Sequence, residues 1–142
     1  MYKRILFATD LSKPQHDLCQ QAVNIASHFN SELTLLHVID LPQSVQYAQA
    51  LGFAEFNTAP TDEGALVLAT LADEFNIPKE RQIIDVGRAK FCIPETAKKL
   101  AIDLLLLGHS RDNDAPHVFG SLTQTVMEHV PCDVMILKRN SI

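Results

Sequence analysis

Five short apolar runs punctuate this chain: Ile5 to Ala8, Leu33 to Ile39, Ile83 to Val86, Leu104 to Leu107, and Val134 to Leu137. Each is too short for a typical helix and nearly continuous in apolar character, which suits a strand buried on both faces. Between them lie longer stretches in which apolar residues recur at helical spacing. Strict alternation of the two patterns, βαβαβαβαβ, predicts an α/β fold with a parallel, doubly wound sheet and helices on both faces. Right-handed crossovers then leave few topologies. Ligands of such sheets bind beyond the carboxyl ends of the strands, where the strand order reverses. If the reversal lies between the first and fourth strands, Asp10 and Gly108 border one crevice.

The intervening segments carry their own punctuation. Ser12 with Gln15 forms a capping box and Pro14 suits a first turn, while Leu18, Cys19, Ala22, Val23, Ala26 and Phe29 mark a helix ending near Asn30. From Leu41 to Pro60 the only charge is Glu55, and the segment reads as a functional cover, a partly helical insertion or a mobile stretch. Ala65 to Phe75 is helical in spacing and stopped by Asn76-Ile77-Pro78. Lys90 to Ala101 is helical in composition, but Pro94 lacks the amide that a helix interior uses, so a regular helix is expected to begin near Pro94. Ser121 to Val130 is the fourth helix.

Composition narrows the function. At 142 residues and 46% hydrophobic, the chain fits one domain spanning residues 1–142. No apolar run approaches the ~20 residues of a membrane span, and Met1-Tyr2-Lys3-Arg4 does not resemble a signal peptide, so a cytoplasmic protein without a membrane partner is expected. Cys19, Cys92 and Cys132 are odd in number and lack CxxC spacing, which argues against a disulfide framework or a zinc knuckle. With 12 Lys+Arg against 17 Asp+Glu, a formal charge of −5 and no basic cluster, nucleic acid is not the expected partner. An anionic ligand would need a local site.

Only Gly108 to Thr123 offers one. Gly108 and Gly120 permit close approach of a ligand to the backbone, and Ser121, Leu122 and Thr123 place free amides and two hydroxyls at a helix N-terminus, where a phosphate is the natural guest. The same residues also read as plain turn glycines and a Ser121/Gln124 capping box. GxxxxGK[ST] and GxGxxG are both absent. His109, Asp112, Asp114 and His117 form a cluster with metal-ligand chemistry, but a polar surface loop accounts for them better and no metal site is assigned. His37, in an apolar strand, reads as a hydrogen-bonded core or crevice residue, because no Ser or Cys nucleophile accompanies it. Cys19 reads as packing. Asp10 serves equally as a residue leading into the first helix or as one facing a ligand.

Taken together, "ILFATDLS", "LTLLHVID", the "VG" after the third strand, "DLLLLGHS" and "GSLTQTVMEHVPCDVMILK" resemble a universal stress protein across essentially the whole chain. The resemblance implies a five-stranded sheet of order 3-2-1-4-5, an adenine nucleotide alpha hydrolase-like fold and a homodimer. The fifth strand, Asp133 to Lys138, is then an apolar sheet edge suited to pairing with its copy. ATP-binding members carry a G-x2-G-x9-G-[S/T] loop, which maps its first glycine to Gly108 and its last pair to Gly120-Ser121; the family's acidic residue maps to Asp10 and its adenine-facing residue to Val38. Here Arg111 stands where the second glycine belongs, and residues 112–119 are one fewer than the pattern's nine. Asp112 and Asp114 oppose a triphosphate unless a cation intervenes, although Arg111 could itself clamp a phosphate. The wording leans toward the UspA-type branch, not expected to bind ATP tightly. The expected function is therefore a non-enzymatic stress-response protein acting through unknown protein partners. It would have a weak site for ATP with Mg or another anion, built from Asp10, Val38, Gly108, Arg111, Gly120, Ser121, Leu122 and Thr123. The alternative is an ATP-binding switch with slow hydrolysis at most.

Overall fold

The computed structural model describes residues 1–9, 15–39, 50–52, 58–109 and 121–138. Its elements are β1 (Arg4–Ala8), α1 (Gln15–Phe29), β2 (Glu32–Ile39), α2 (Thr58–Glu74), a 3-10 turn (Lys79–Arg81), β3 (Gln82–Val86), α3 (Ala89–Lys99), β4 (Leu104–His109), α4 (Ser121–His129) and β5 (Asp133–Lys138). The strands form one parallel sheet of order β3-β2-β1-β4-β5. This is the order that the family resemblance implied, within the doubly wound class expected from the alternation of strands and helices.

Alternation along the strands divides the core in two. Ile5, Phe7, Leu33, Leu35, Leu104 and Leu106 point to one face and meet Leu18, Cys19, Ala22 and Ala26 of α1 and Leu68 and Ala72 of α2. On the other face Leu6, Leu36, Leu105 and Leu107 meet Ile93 and Ala97 of α3 and Val126 of α4. The period-2 pleat thus serves two layers, which is why these strands show no apolar–polar alternation.

At the amino ends of the strands the sheet is tied by one carboxylate. The Lys3 and Arg4 amides donate to Asp103 Oδ2 and Oδ1 at 2.9 and 3.1 Å, and the Asp103 amide donates to the Arg4 carbonyl at 3.0 Å. Tyr2 donates its hydroxyl proton to Asp133 Oδ2 at 2.7 Å, and that hydrogen bond to a carboxylate raises the Tyr2 pKa.

Three helices end with the same device. In α1 the Ser31 amide reaches the Ala26 carbonyl and the Asn30 amide that of Ser27, with Asn30 at φ 57°. Ile77 and Asn76 repeat this on Ala72 and Asp73, and Ile102 and Ala101 on Ala97 and Lys98, with φ 59° at Asn76 and 53° at Ala101. This paired 6→1 and 5→2 closure satisfies the last helical carbonyls and turns the chain sharply toward the next strand. Asparagine tolerates the left-handed conformation; alanine is strained there by about 1–2 kcal/mol.

Two local expectations are corrected. The helix after β3 begins at Ala89 and keeps Pro94 inside it. The missing amide removes one bond, and a helix-interior proline costs about 3 kcal/mol. Burial of Ile93, about 2 kcal/mol, with smaller contributions from the buried methyl and methylene groups of Pro94, Thr96 and Ala97, offsets this. The helix before β3 begins at Thr58, so the last residues of the Leu41–Pro60 segment form its first turn, and Pro60 sits where an amide has no helical acceptor. The helical spacing was unreadable there because Gly64 replaces an apolar side chain at a buried position. The remainder of that segment, apart from residues 50–52, and the Ser12 cap lie outside the described residues.

Ala101→Gly should relieve the left-handed strain. It gives back about 0.4–1 kcal/mol through a more flexible unfolded chain, so against a strain of about 1–2 kcal/mol a net gain of up to about 1.6 kcal/mol is expected in urea unfolding; lower stability than wild type would show Ala101 to be unstrained. Cys19 provides a pH test. It is fully buried, and desolvation pushes its thiol up to about 12 from 9.0. A raised acid pKa in the folded state means stability is fully present below pH 9 and is lost as pH climbs toward 12. Cys19→Ala should flatten the alkaline fall in the urea midpoint relative to wild type, and parallel pH curves would contradict the burial effect.

Candidate ligand crevice at the switch point

Crossovers leave β1 and β4 toward opposite edges of the sheet, and a cavity of about 120 Å³ opens between their carboxyl ends. Its floor is Ala8 and Thr9 from β1, Leu36 and Val38 from β2, and Leu107 and Gly108 from β4; its walls are Ala89 and Ile93 of α3 and Leu122 and Thr123 of α4. Leu36 and Val38, two residues apart, share a face of β2, and Ala89 and Ile93, four apart, share a face of α3. Both faces belong to the α3/α4 side of the sheet.

Two helices start at this crevice, because α3 and α4 each follow a strand whose carboxyl end borders it or neighbours one that does. A helix start leaves its first amides without intrahelical acceptors and carries the positive end of the dipole. At α3 the N-cap is Arg88, whose side chain makes no capping bond. Gly87 makes the preceding turn possible: its φ is 154°, its amide donates to the Ile39 carbonyl at 3.0 Å, and a Cβ there would come within 3.1 Å of Cys92 Sγ. None of the described lining residues is ionisable. The volume is below the ~300–1,000 Å³ of drug-sized pockets, so the described walls suit one heterocycle or one phosphate-sized group. Chemically, the apolar floor accepts a flat ring, the two threonines offer hydroxyls, and the helix starts attract an anion.

Among the residues expected from sequence, Val38, Gly108, Leu122 and Thr123 come together in this crevice. Ser121 is the first residue of α4. Asp10, Arg111 and Gly120 lie outside the described residues, as do Asp112, Asp114 and His117. Among the described residues no group of three His, Cys, Asp or Glu could hold a metal. Sequence reasoning missed Thr9, Leu36, Ala89 and Ile93. Their one available signal was position: the carboxyl half of a buried strand or the residue just after it, and the first two turns of the helix after Gly87.

A profile of the Universal stress protein family matches residues 1–138. The chain belongs to that family. Universal stress protein A homolog 2 of Coxiella burnetii is 30% identical over 142 residues, covering 96% of this chain and 95% of that one. Among solved structures, the universal stress protein UspA from Lactobacillus plantarum is 27% identical, with a TM-score of 0.67 over 96% of this chain and 97% of that one. A universal stress protein solved in complex with cAMP is 20% identical, with a TM-score of 0.70 over 98% of both chains, and so shares the fold. The switch point of this chain lies between its first and fourth strands. No described helix is long and apolar enough to cross a membrane.

Proposed function

We propose that this universal stress protein is a non-enzymatic, cytoplasmic homodimer that acts through contacts with other proteins, and that its crevice takes an adenine nucleotide or a simple anion weakly. The observation that carries the ligand part is a crevice whose described lining is uncharged and apolar-floored, at which the N-termini of α3 and α4 converge. Helix starts hold one phosphate well, while a whole triphosphate needs more donors or a cation. A related fold has been solved with cAMP, a nucleotide with a single phosphate, which matches that limit.

Calorimetric titration with MgATP, cAMP and sulfate tests this. ATP should bind more weakly than ~100 μM, about −5.5 kcal/mol, and Thr123→Ala or Ser121→Ala should weaken whichever ligand binds. An ATP-binding switch would instead show low-micromolar affinity and, at 100 times Kd, a stabilisation of about 2.7 kcal/mol. Silence toward all three ligands at millimolar concentration would remove the site altogether.

The dimer is inferred from β5. This strand is a sheet edge, and Met135 on it is 37% exposed, an apolar edge that an antiparallel copy would cover. Val134 and Ile136 pack onto the chain's own α3/α4 cluster, so a charge there would disturb the monomer as well. Met135→Lys is the cleaner probe: sedimentation should show a folded monomer, and an unchanged dimer would rule out this interface.

A further inference from the structure

We propose that His37 is the positioning residue of the crevice, holding its floor from the opposite face of the sheet; this rests on the ligand-site reading above. Leu36 and Val38 line the crevice, so the pleat sends His37 between them to the α1/α2 side. There Nδ1 lies 2.9 Å from the Thr9 carbonyl. A carbonyl only accepts, so Nδ1 carries the proton and donates. Thr9 is itself a floor residue, 5% exposed, and its amide donates to the Leu36 carbonyl at 2.8 Å. The residue directly before Asp10 is thus gripped by two successive residues of β2, once through a backbone carbonyl and once through an imidazole.

The other edge of the ring is clamped by α2. A Cβ on Gly64 would stand 3.4 Å from His37 Cδ2 and from Ile39 Cδ1, and 3.8 Å from His37 Nε2. Gly64 is buried, so α2 presents backbone to this edge of the imidazole, at a distance that a methyl group would fill in ordinary contact. The chain from α2 through His37 to Thr9 is continuous, and it sets where β1 ends and where the chain leaves toward Asp10.

Isosteric substitution separates positioning from bulk. Asparagine places an N–H where His37 Nδ1 stands and lacks the rest of the ring; leucine fills space and donates nothing. With MgATP or cAMP as the probe, His37→Asn should bind within about twofold of wild type, whereas His37→Leu should lose about fivefold or more, the weight of one hydrogen bond. Both variants lose ring packing, so comparable melting temperatures with divergent affinities identify positioning. Equal affinities in wild type and His37→Leu, or equal losses in both variants, would overturn the proposal. Should wild type bind neither nucleotide, the ligand reading fails and ligand-free measurements judge His37. Side-chain ¹⁵N spectra should show the Nδ1–H tautomer, and the Thr9 amide should exchange faster in His37→Leu but not in His37→Asn. An Nε2–H tautomer, or identical Thr9 exchange in all three proteins, would overturn it.

Discussion

The pairing of β1 with β4 is the constraint on which the rest of the molecule depends. Ile5 to Ala8 lie in register with Leu104 to Leu107, and Ile5, Leu6, Phe7, Leu104, Leu105 and Leu106 are essentially sealed from solvent. At roughly 2 kcal/mol for each such side chain, these six contribute on the order of 10 kcal/mol, comparable to the whole net stability of a typical domain. The two strands come from opposite ends of the sequence, so their contact closes most of the chain into a loop before it is rewarded. Once it exists, successive crossovers must move outward in both directions. The gap between their departures is the crevice.

The architecture was legible because each element repeats a simple rule. Continuous apolar runs such as Leu104 to Leu107 can only be strands covered twice, and Asn30 and Asn76 announce helix ends by tolerating a left-handed turn. Ala101 does the same work without any such signal. Pro94 misled for the opposite reason: a local backbone preference was overridden by burial on the sheet, which no window of sequence can weigh. The start of α2 was hidden because Gly64 shows no apolar side chain at a buried position facing His37 and Ile39.

For the site, chemistry in the sequence pointed to Val38, Gly108, Leu122 and Thr123, and these do meet. Thr9, Ala89 and Ile93 carry no distinctive chemistry, and only the topology brings them there. With no ionisable group in the described lining, what those residues offer an anion is backbone dipoles, which act within the first helical turn and are screened by salt. Such a lining would select by size and by placement of its floor, the feature in which the proposed grip on Thr9 would act.

The tight closures that follow α1, α2 and α3 have a consequence for how this fold can vary. They weld each helix to the following strand at the amino end of the sheet, where Asp103 also bridges to β1. Residues 10–14, 40–57 and 110–120, by contrast, all connect strands to helices at the carboxyl end. Changes of length are therefore affordable at one pole of the molecule only. A descendant that acquires a new binding partner can rebuild the rim around the crevice while inheriting, residue for residue, the anchored base beneath it.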